Sequence, residues 1–170
     1  SILPQKDVDG FHPVNLGKLV QGRGGGLMPC TPSGVMRMLE SSGVRTRGAN
    51  AVVLGRSRIV GMPMALMLAQ PGCDASVTIV HSKTEGIPSI CNQADILIAA
   101  VGRPHMVRKE WVKQGAFVVD VGISRVEGGL AGDVSPKVSE VAGWITPVPG
   151  GVGPMTCLLY TSDAADERNS

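Results

Sequence analysis

Aromatic residues are scarce in this sequence, because two Trp, one Tyr and two Phe make up only 3% of its 170 residues. Hydrophobic residues still account for 43% of the chain, so a core must be built from aliphatic residues and methionine. This composition is typical of a parallel sheet that is covered on both faces, whose strands are unbroken runs of Val, Ile, Leu and Ala. The length is sufficient for one such domain.

Long apolar runs and a strong charge of either sign are also absent. No run approaches the ~20 residues that are needed to cross a bilayer. The formal net charge is +2, which gives no basis for attraction to nucleic acid or to an anionic membrane. We therefore predict no nucleic-acid partner and no membrane partner.

The four cysteines, at positions 30, 73, 91 and 157, show no pairing pattern. None forms a C-x-x-C pair, and no His lies at a spacing typical of metal ligands. We predict no metal site, and we interpret the cysteines as reduced thiols of an intracellular protein.

Apolar, strand-like runs alternate with helical patterns after residue 30, whereas residues 1–30 show no regular pattern. We predict strands over 51–54, 77–80, 96–101, 117–121 and 144–146, helices over 63–69, 87–93 and 136–142, and a helix beginning at Thr31. Glu127-Gly-Gly predicts a tight turn, as in a hairpin. The alternation favours an α/β fold of the Rossmann type with a doubly wound, mostly parallel sheet.

The first predicted strand runs into a segment bounded by two glycines, Gly55 and Gly61. A glycine directly after a strand lets the backbone approach a phosphate, and the next helix offers unpaired N–H groups. The spacing differs from G-x-G-x-x-G, so an ordinary turn between strand and helix is the alternative interpretation.

The second predicted strand ends in His81-Ser82-Lys83, with no carboxylate before Glu85. An NAD site usually places an acidic residue there to bind the ribose 2′-hydroxyl. Arg56, Ser82 and Lys83 would instead bind a 2′-phosphate through charge-assisted hydrogen bonds. We therefore predict NADP as the cofactor, the alternative being that these residues are solvated surface groups.

Other segments are candidates for the rest of a ligand site. Glycines in residues 101–104 and 120–123 would permit close approach to the nicotinamide half, although both segments also fit ordinary turns. Residues 147–156 are rich in Pro and Gly and predict a rigid loop that could pack along a flat ligand. Asp9 is a candidate for bidentate recognition of a ring amine, although an Asp before Gly is more often a turn residue.

Seven sequence strings together resemble a known enzyme family. In order they are KDVDGFHPVN, PCTPSG, GRSRIVGMP, HSKT, DVGI, GDV and ITPVPGGVGPMT. The set resembles the bifunctional methylenetetrahydrofolate dehydrogenase/methenyltetrahydrofolate cyclohydrolase family from about Pro4 to Thr156. The resemblance implies NADP-dependent oxidation of 5,10-methylenetetrahydrofolate, followed by hydrolysis of 5,10-methenyltetrahydrofolate to 10-formyltetrahydrofolate. It also implies a homodimer, in the cytoplasm or alternatively in the mitochondrion.

The resemblance further implies which residues bind the two ligands. The cofactor residues would be Gly55, Arg56, Ser57, Ser82 and Ile123, with Arg56 and Ser82 near the 2′-phosphate. The folate residues would be Asp9 at the pterin ring and a closing loop made of Pro149, Gly150, Gly151, Val152 and Gly153. A Rossmann dehydrogenase acting on shikimate is a weaker alternative, because it does not explain PVPGGVGPMT together with KDVDG.

The sequence lacks the family's Tyr-x-x-x-Lys motif, whose Lys is the expected general acid or base. Tyr160 is the only tyrosine and has no Lys four residues later, so we assign no catalytic residue. We expect a truncated form with a remnant of the folate-binding domain over 1–27, a cofactor domain over 28–147 and a folate-site loop over 148–156. Residues 157–170 are largely polar and are expected to be an atypical, disordered tail. The alternative function is a non-catalytic NADP-binding or dimerising module.

Overall fold

The computed structural model describes residues 3–7, 9–22 and 25–158. The helices are α1 (Pro13–Val20), α2 (Cys30–Ser41), α3 (Gly61–Ala69) and α4 (Ile87–Cys91), and residues 152–158 form α5. The strands are β1 (Asn50–Leu54), β2 (Ser76–Val80), β3 (Ile96–Ala99), β4 (Phe117–Asp120), β5 (Ser124–Val126), β6 (Gly129–Ala131) and β7 (Trp144–Ile145). Short 3-10 turns occupy Pro4–Lys6, Lys109–Trp111 and Pro136–Glu140. None of the helices in this described part is both long and apolar enough to span a bilayer.

Five parallel strands form one sheet in the order β2-β1-β3-β4-β7. The strands pair in register, so that Leu54 of β1 lies beside both Val80 of β2 and Ala99 of β3. At the far edge, Trp144 of β7 stacks on Phe117 of β4, with ring centroids 4.1 Å apart. The direction of winding reverses between β1 and β3, and ligands bind outside the carboxyl ends of the strands at such a reversal. The predicted doubly wound α/β fold is confirmed.

Both faces of the sheet are covered by aliphatic side chains. On one face, Val53 belongs to a buried cluster with Leu39 of α2 and Leu68 of α3. On the other face, Val52 belongs to a buried cluster with Cys91 of α4. Adjacent residues of one strand thus enter opposite layers, which explains why its sequence is a continuous apolar run.

Most of the predicted elements occur within two residues of their predicted bounds. Helix α2 begins at Cys30, one residue before the predicted start. The predicted helix over 136–142 is a 3-10 turn, Pro136–Glu140. Strands β5 and β6 form an antiparallel hairpin, as the Glu127-Gly-Gly turn predicted.

The expectation of no regular pattern before residue 30 is wrong, because α1 lies there. Its start is favoured by Pro13 at the first helical position and by the His12 ring, whose Nδ1 accepts a 3.2 Å hydrogen bond from the Val14 N–H. The end of α1 is held by a tertiary contact, since the Gln70 side chain donates to the Leu19 carbonyl at 2.9 Å.

The expected loop over 148–156 and the expected tail after it are also corrected. The loop is shorter than expected, because α5 begins at residue 152 with Pro154 in its first turn. Cys157 and Leu158 belong to this helix and not to a disordered tail. The rest of the expected tail, residues 159–170, lies outside the described residues.

Candidate functional site

The turn after β1 brings two backbone segments into unusually close contact. Gly55 has φ +123°, a conformation that L side chains rarely adopt, and a Cβ there would overlap the carbonyl oxygen of Ala100. A Cβ on Gly61 would overlap the carbonyl oxygen of Gly55. Both glycines are therefore required by the close packing of backbone segments at the reversal point.

Ser57 organises the start of the helix that follows this turn. Its Oγ accepts hydrogen bonds from the N–H groups of Val60, at 3.1 Å, and Gly61, at 3.2 Å, and its carbonyl oxygen accepts from the Met62 N–H at 2.9 Å. Ser57 therefore fixes the N-terminus of α3 as well as lining the adjacent pocket. This capping contact was not part of the prediction for Ser57.

Arg56 and Ser82 meet at one pocket because of strand register. Leu54 pairs with Val80, so the second residue after β1 and the second after β2 are neighbours at the same edge. A pocket of about 290 Å³ is lined by Leu54, Gly55, Arg56, Ser57, His81, Ser82, Ile87, Ala100, Val101, Arg103 and Met106. No carboxylate is among these described lining residues, so the pocket suits an anionic group.

The turn that carries Ser82 is built by its neighbours. The Thr84 N–H donates to the His81 carbonyl at 2.8 Å, and the His81 N–H donates back to the Thr84 hydroxyl at 3.1 Å. The His81 ring Nδ1 also accepts from the Lys83 N–H at 3.2 Å. These contacts hold Ser82 at the tip of a tight turn, whereas Lys83 is not among the residues that line the pocket.

The segment after β3 contributes to the same pocket. Val101 and Arg103 line it together with Arg56, so residues 101–104 lie at the Arg56/Ser82 end and not with Ile123. Arg103 is a second cationic lining residue that the sequence analysis did not single out. The signal for it was its place directly after the glycine that follows β3.

A second pocket, of about 540 Å³, brings together the other predicted residues. It joins Ile123, which follows β4, to the loop after β7 and to Thr31 at the start of α2. The predicted residues Pro149, Gly150, Gly151, Val152 and Gly153 all line it. The structure therefore places the expected nicotinamide-side residue and the expected folate-side loop around one cavity.

Helix α5 closes one side of this second pocket by packing on α2. The Thr156 hydroxyl donates to the Val152 carbonyl at 3.1 Å and forms a hydrogen bond with the Thr31 hydroxyl at 3.3 Å. A Cβ on Gly34 would lie 3.4 Å from the Cβ of Met155, in van der Waals contact, so the two helices approach closely here. The PCTPSG string at the start of α2 and the GPMT string in α5 thus form the two sides of one contact between helices.

Asp9 lies in an exposed turn and lines neither pocket. The turn itself is fixed, because a Cβ on Gly10 would lie 2.6 Å from the Met28 carbonyl carbon and the Pro29 nitrogen. Asp7, which the sequence analysis passed over, is the buried acidic residue here, and it accepts from the His12 N–H at 2.6 Å and from the Asn15 side chain at 2.9 Å.

Two buried carboxylates, Asp120 and Asp133, connect the strand ends around the pockets. Asp120 accepts from the N–H groups of Gly122, Asp133 and Val134 at 3.1, 2.9 and 2.9 Å. Burial raises the pKa of Asp120 to about 6, against the opposing effect of these hydrogen bonds. Asp120 lies in the candidate segment 120–123, but the sequence analysis gave neither carboxylate a role, because the contacts of Asp133 with residues 101–103 join positions far apart in sequence.

A further cavity, of about 760 Å³, lies elsewhere among the described residues. It runs between residues 26–28, α2 and the end of α3, and none of the predicted site residues lines it. Within the described part of the chain, no group of three His, Cys, Asp or Glu residues could hold a metal ion. The predicted site residues that line a pocket are therefore all found at the other two pockets.

Comparison with known proteins identifies the family. The sequence matches the family described as "Tetrahydrofolate dehydrogenase/cyclohydrolase, NAD(P)-binding domain" over residues 29–168. The chain belongs to this family. This result confirms the resemblance that the ordered motifs indicated, and it confirms a nicotinamide dinucleotide as the class of cofactor.

Individual relatives match nearly the whole chain. "Bifunctional protein FolD" of Thermus thermophilus is 60% identical over 166 residues, which cover 98% of this chain and 58% of the relative. The crystal structure of the Campylobacter jejuni FolD dehydrogenase/cyclohydrolase superposes with a TM-score of 0.93 at 46% identity, covering 97% of this chain and 58% of that one. The Trypanosoma brucei FolD enzyme, complexed with NADP and an inhibitor, gives a TM-score of 0.87 at 45% identity, covering 96% and 58%. The chain thus spans about 58% of the length of these relatives.

Proposed function

We propose that this chain is the NADP-binding part of an enzyme that oxidises 5,10-methylenetetrahydrofolate to 5,10-methenyltetrahydrofolate and hydrolyses the product to 10-formyltetrahydrofolate. Membership of the dehydrogenase/cyclohydrolase family supports the two reactions. The observation that carries the choice of NADP is the pair Arg56 and Ser82, which share a pocket without a lining carboxylate. A guanidinium and a hydroxyl bind a 2′-phosphate, whereas a carboxylate would repel it.

The bare backbone at the reversal point fits a dinucleotide. Since Gly55 and Gly61 leave no room for a Cβ, the loop between them would bring its backbone and the positive dipole end of α3 close to a pyrophosphate. Arg56 and Ser82 would then hold the 2′-phosphate, while Ile123 would contact the nicotinamide in the pocket of about 540 Å³. When bound, the nicotinamide ring supplies the acceptor for the hydride that leaves the folate methylene carbon.

The folate would enter the pocket that contains Ile123 from the side of α2, where Thr31 lines it. We assign Pro149, Gly150, Gly151, Val152 and Gly153 to a wall along the folate, because these residues face Ile123 across the same cavity. Asp9 would hold the pterin ring. The support for Asp9 is indirect: its turn is packed through Gly10 against residues 28–29, and Thr31 of the same segment lines the pocket.

The role of this chain in hydride transfer would be to position the two reactants. The acid or base that the family assigns to the Lys of a Tyr-x-x-x-Lys motif is not supplied by this sequence, which lacks that motif. We therefore propose that the chain binds the cofactor and does not hydrolyse methenyltetrahydrofolate by itself.

Calorimetric titration of the chain with NADP and with NAD tests the cofactor proposal. We expect NADP to bind at least roughly tenfold more tightly, as charged hydrogen bonds to one phosphate would give. If the chain binds NADP and NAD with equal affinity, the inference of a preference for NADP from Arg56 and Ser82 is wrong. In parallel, methenyltetrahydrofolate hydrolysis should proceed at the uncatalysed rate, and turnover at an enzymatic rate would show that the lysine motif is dispensable.

A second candidate function, a dimerising module that only binds NADP, is favoured by the hairpin. Val126 and Leu130 on β5 and β6 are 39% and 44% exposed, and the adjacent Ile123 is 59% exposed. Leu130 pairs with Arg125 and Val126 with Gly129, so Leu130 and Val126 lie on opposite faces of the hairpin. We propose that the Leu130 face of the hairpin contacts a second copy of the chain in a homodimer. Sedimentation velocity should show a dimer that Leu130→Lys dissociates, while Val20→Lys on the exposed face of α1 leaves it intact. A monomer at every concentration would reject the homodimer.

A further inference from the structure

The segments Asp120-Val-Gly122 and Gly132-Asp133 are packed reciprocally. A Cβ on Gly122 would overlap the carboxylate of Asp133, and a Cβ on Gly132 would overlap the carboxylate of Asp120. Each carboxylate therefore occupies the space that the other segment's glycine leaves. This arrangement holds two acidic side chains inside the protein at the carboxyl end of the sheet, where Asp120 lines the pocket that contains Ile123.

Both carboxylate oxygens of Asp133 accept hydrogen bonds from one short loop, residues 101–103. Its Oδ2 accepts from the N–H groups of Val101, at 2.6 Å, and Gly102, at 2.9 Å, and its Oδ1 accepts from the Arg103 N–H at 2.7 Å. Three consecutive N–H groups are thus turned inward towards one buried anion. Val101 and Arg103 of this loop line the pocket that also contains Arg56.

Asp120 fixes Asp133 in turn. Its carboxylate accepts from the backbone N–H of Asp133 at 2.9 Å and from that of Val134 at 2.9 Å. The Asp120 N–H donates to the Thr146 hydroxyl at 2.7 Å, which anchors the arrangement to the end of β7. The loop after β3, the segment before Val134 and the loop after β4 are therefore connected through two side chains.

We propose that Asp133 is a positioning residue for the cofactor, which presets the loop of residues 101–103 at the 2′-phosphate pocket, and that Asp120 holds Asp133 in place. The proposal rests on the proposed NADP function and adds residues that do not touch the cofactor. Without the carboxylate, the three N–H groups of the loop would have no common acceptor, and the loop would have to be ordered by NADP itself. That ordering would lower the binding affinity.

Asp133→Asn in this chain is the direct test, with Asp95→Asn as the matched control. An Asn offers one acceptor oxygen and sets an NH₂ group against the remaining N–H groups. Asp95 also accepts a backbone hydrogen bond, from Asn50 at 2.9 Å, and one from Lys113 at 2.6 Å, but it precedes β3 at the opposite end of the sheet. The two variants therefore make the same chemical change, one in contact with the loop after β3 and the other directly before β3.

Calorimetry should show roughly tenfold weaker NADP binding by Asp133→Asn and a change of less than about twofold by Asp95→Asn. The melting temperature of each variant separates this effect from general destabilisation. A folded Asp133→Asn chain that binds NADP as tightly as the wild type overturns the proposal. Failure of the wild type itself to bind NADP would instead reject the proposed function.

Hydrogen exchange of the wild-type chain tests the same idea without a substitution. The amides of Val101, Gly102 and Arg103 should be protected in the cofactor-free chain, because Asp133 already holds them. Protection should change little when NADP is added. Amides that exchange freely until NADP is added would show that the cofactor, and not Asp133, orders the loop, even if Asp133→Asn does not fold.

Discussion

Gly55 lies directly against the carbonyl oxygen of Ala100, so that even a methyl group on Gly55 would overlap it. The two residues follow β1 and β3, the neighbouring strands between which the winding of the sheet reverses. The Ala100 N–H donates to the Leu54 carbonyl at 2.8 Å, which holds the two strand ends together at this point. The contact therefore fixes the floor of the proposed dinucleotide site.

Gly55→Ala should destabilise the chain by about 2–4 kcal/mol, because backbone strain at positive φ adds to a steric overlap. Urea unfolding measures the loss. Gly72→Ala is the matched control, since Gly72 also has a positive φ, +98°, but a Cβ there meets nothing within 4 Å. The control should lose only the strain contribution, about 1–2 kcal/mol. Equal losses in the two variants would show that the overlap with Ala100 is relieved by relaxation.

The sheet could be predicted from the sequence because its pattern is local. The run ILIAAV predicts a buried strand without knowledge of its neighbours, and the reversal point then predicts where ligands bind. That Arg56 and Ser82 line one pocket was predictable for the same reason, since each is the second residue after a strand. Helix α1 was missed although Pro13 and His12 mark its start locally, and only its end depends on a distant contact, that of Gln70 with Leu19.

The two buried carboxylates show what local pattern cannot supply. Asp133 lies in a Gly-Asp-Val string that resembles an ordinary turn, yet its partners Val101 and Arg103 are about 30 residues earlier. Nothing near Asp133 in sequence indicates that three N–H groups converge on it. The same limit applies to α5, whose packing against Thr31 joins residues 125 positions apart.

The thiol of Cys91 should resist alkylation in the folded chain. Cys91 is fully buried, and burial raises its pKa to about 11, so the reactive thiolate is rare at pH 8. The pKa of Cys73 is also raised, by burial and by the nearby Asp74, but this thiol is partly accessible. Iodoacetamide at about pH 8 should modify Cys73 slowly and leave Cys91 unmodified, as read by peptide mass spectrometry, with a sample in urea as the control. Labelling of Cys91 as fast as Cys73 would contradict its burial.

Stability should depend on pH through Asp120. Its pKa is raised from 3.8 to about 6 in the folded chain, so the folded state binds a proton more tightly than the unfolded state. The free energy of unfolding should therefore rise as pH falls from about 6 towards 4, by about 1.4 kcal/mol per unit, and this contribution is lost as pH rises through 6. Asp95 acts in the opposite direction, since the hydrogen bond from Lys113 lowers its pKa.

Comparison with Asp120→Asn isolates the effect of Asp120 from that of all other groups. The difference in unfolding free energy between wild type and variant should change by roughly 3 kcal/mol over this range. Parallel curves would mean that Asp120 is ionised throughout. If the variant does not fold, the carboxyl ¹³C shift of Asp120 in the wild type reports the same titration.

The preference for NADP over NAD should depend on Arg56 and not on Lys83, the two cationic residues near the end of β2. Arg56 lines the smaller pocket with Ser82, whereas Lys83 carries the same charge next to Ser82 in sequence without lining it. Arg56→Gln should weaken NADP binding by roughly tenfold to a hundredfold and change NAD binding by less than about twofold, because only NADP carries the 2′-phosphate. Lys83→Gln should affect the binding of both cofactors by less than about twofold, since a solvated charge contributes little.

Titration calorimetry of both variants with both cofactors distinguishes a specific contact from a general electrostatic attraction. Equal loss in the two variants, or loss of NAD affinity with NADP affinity in Arg56→Gln, would assign the 2′-phosphate to another part of the surface.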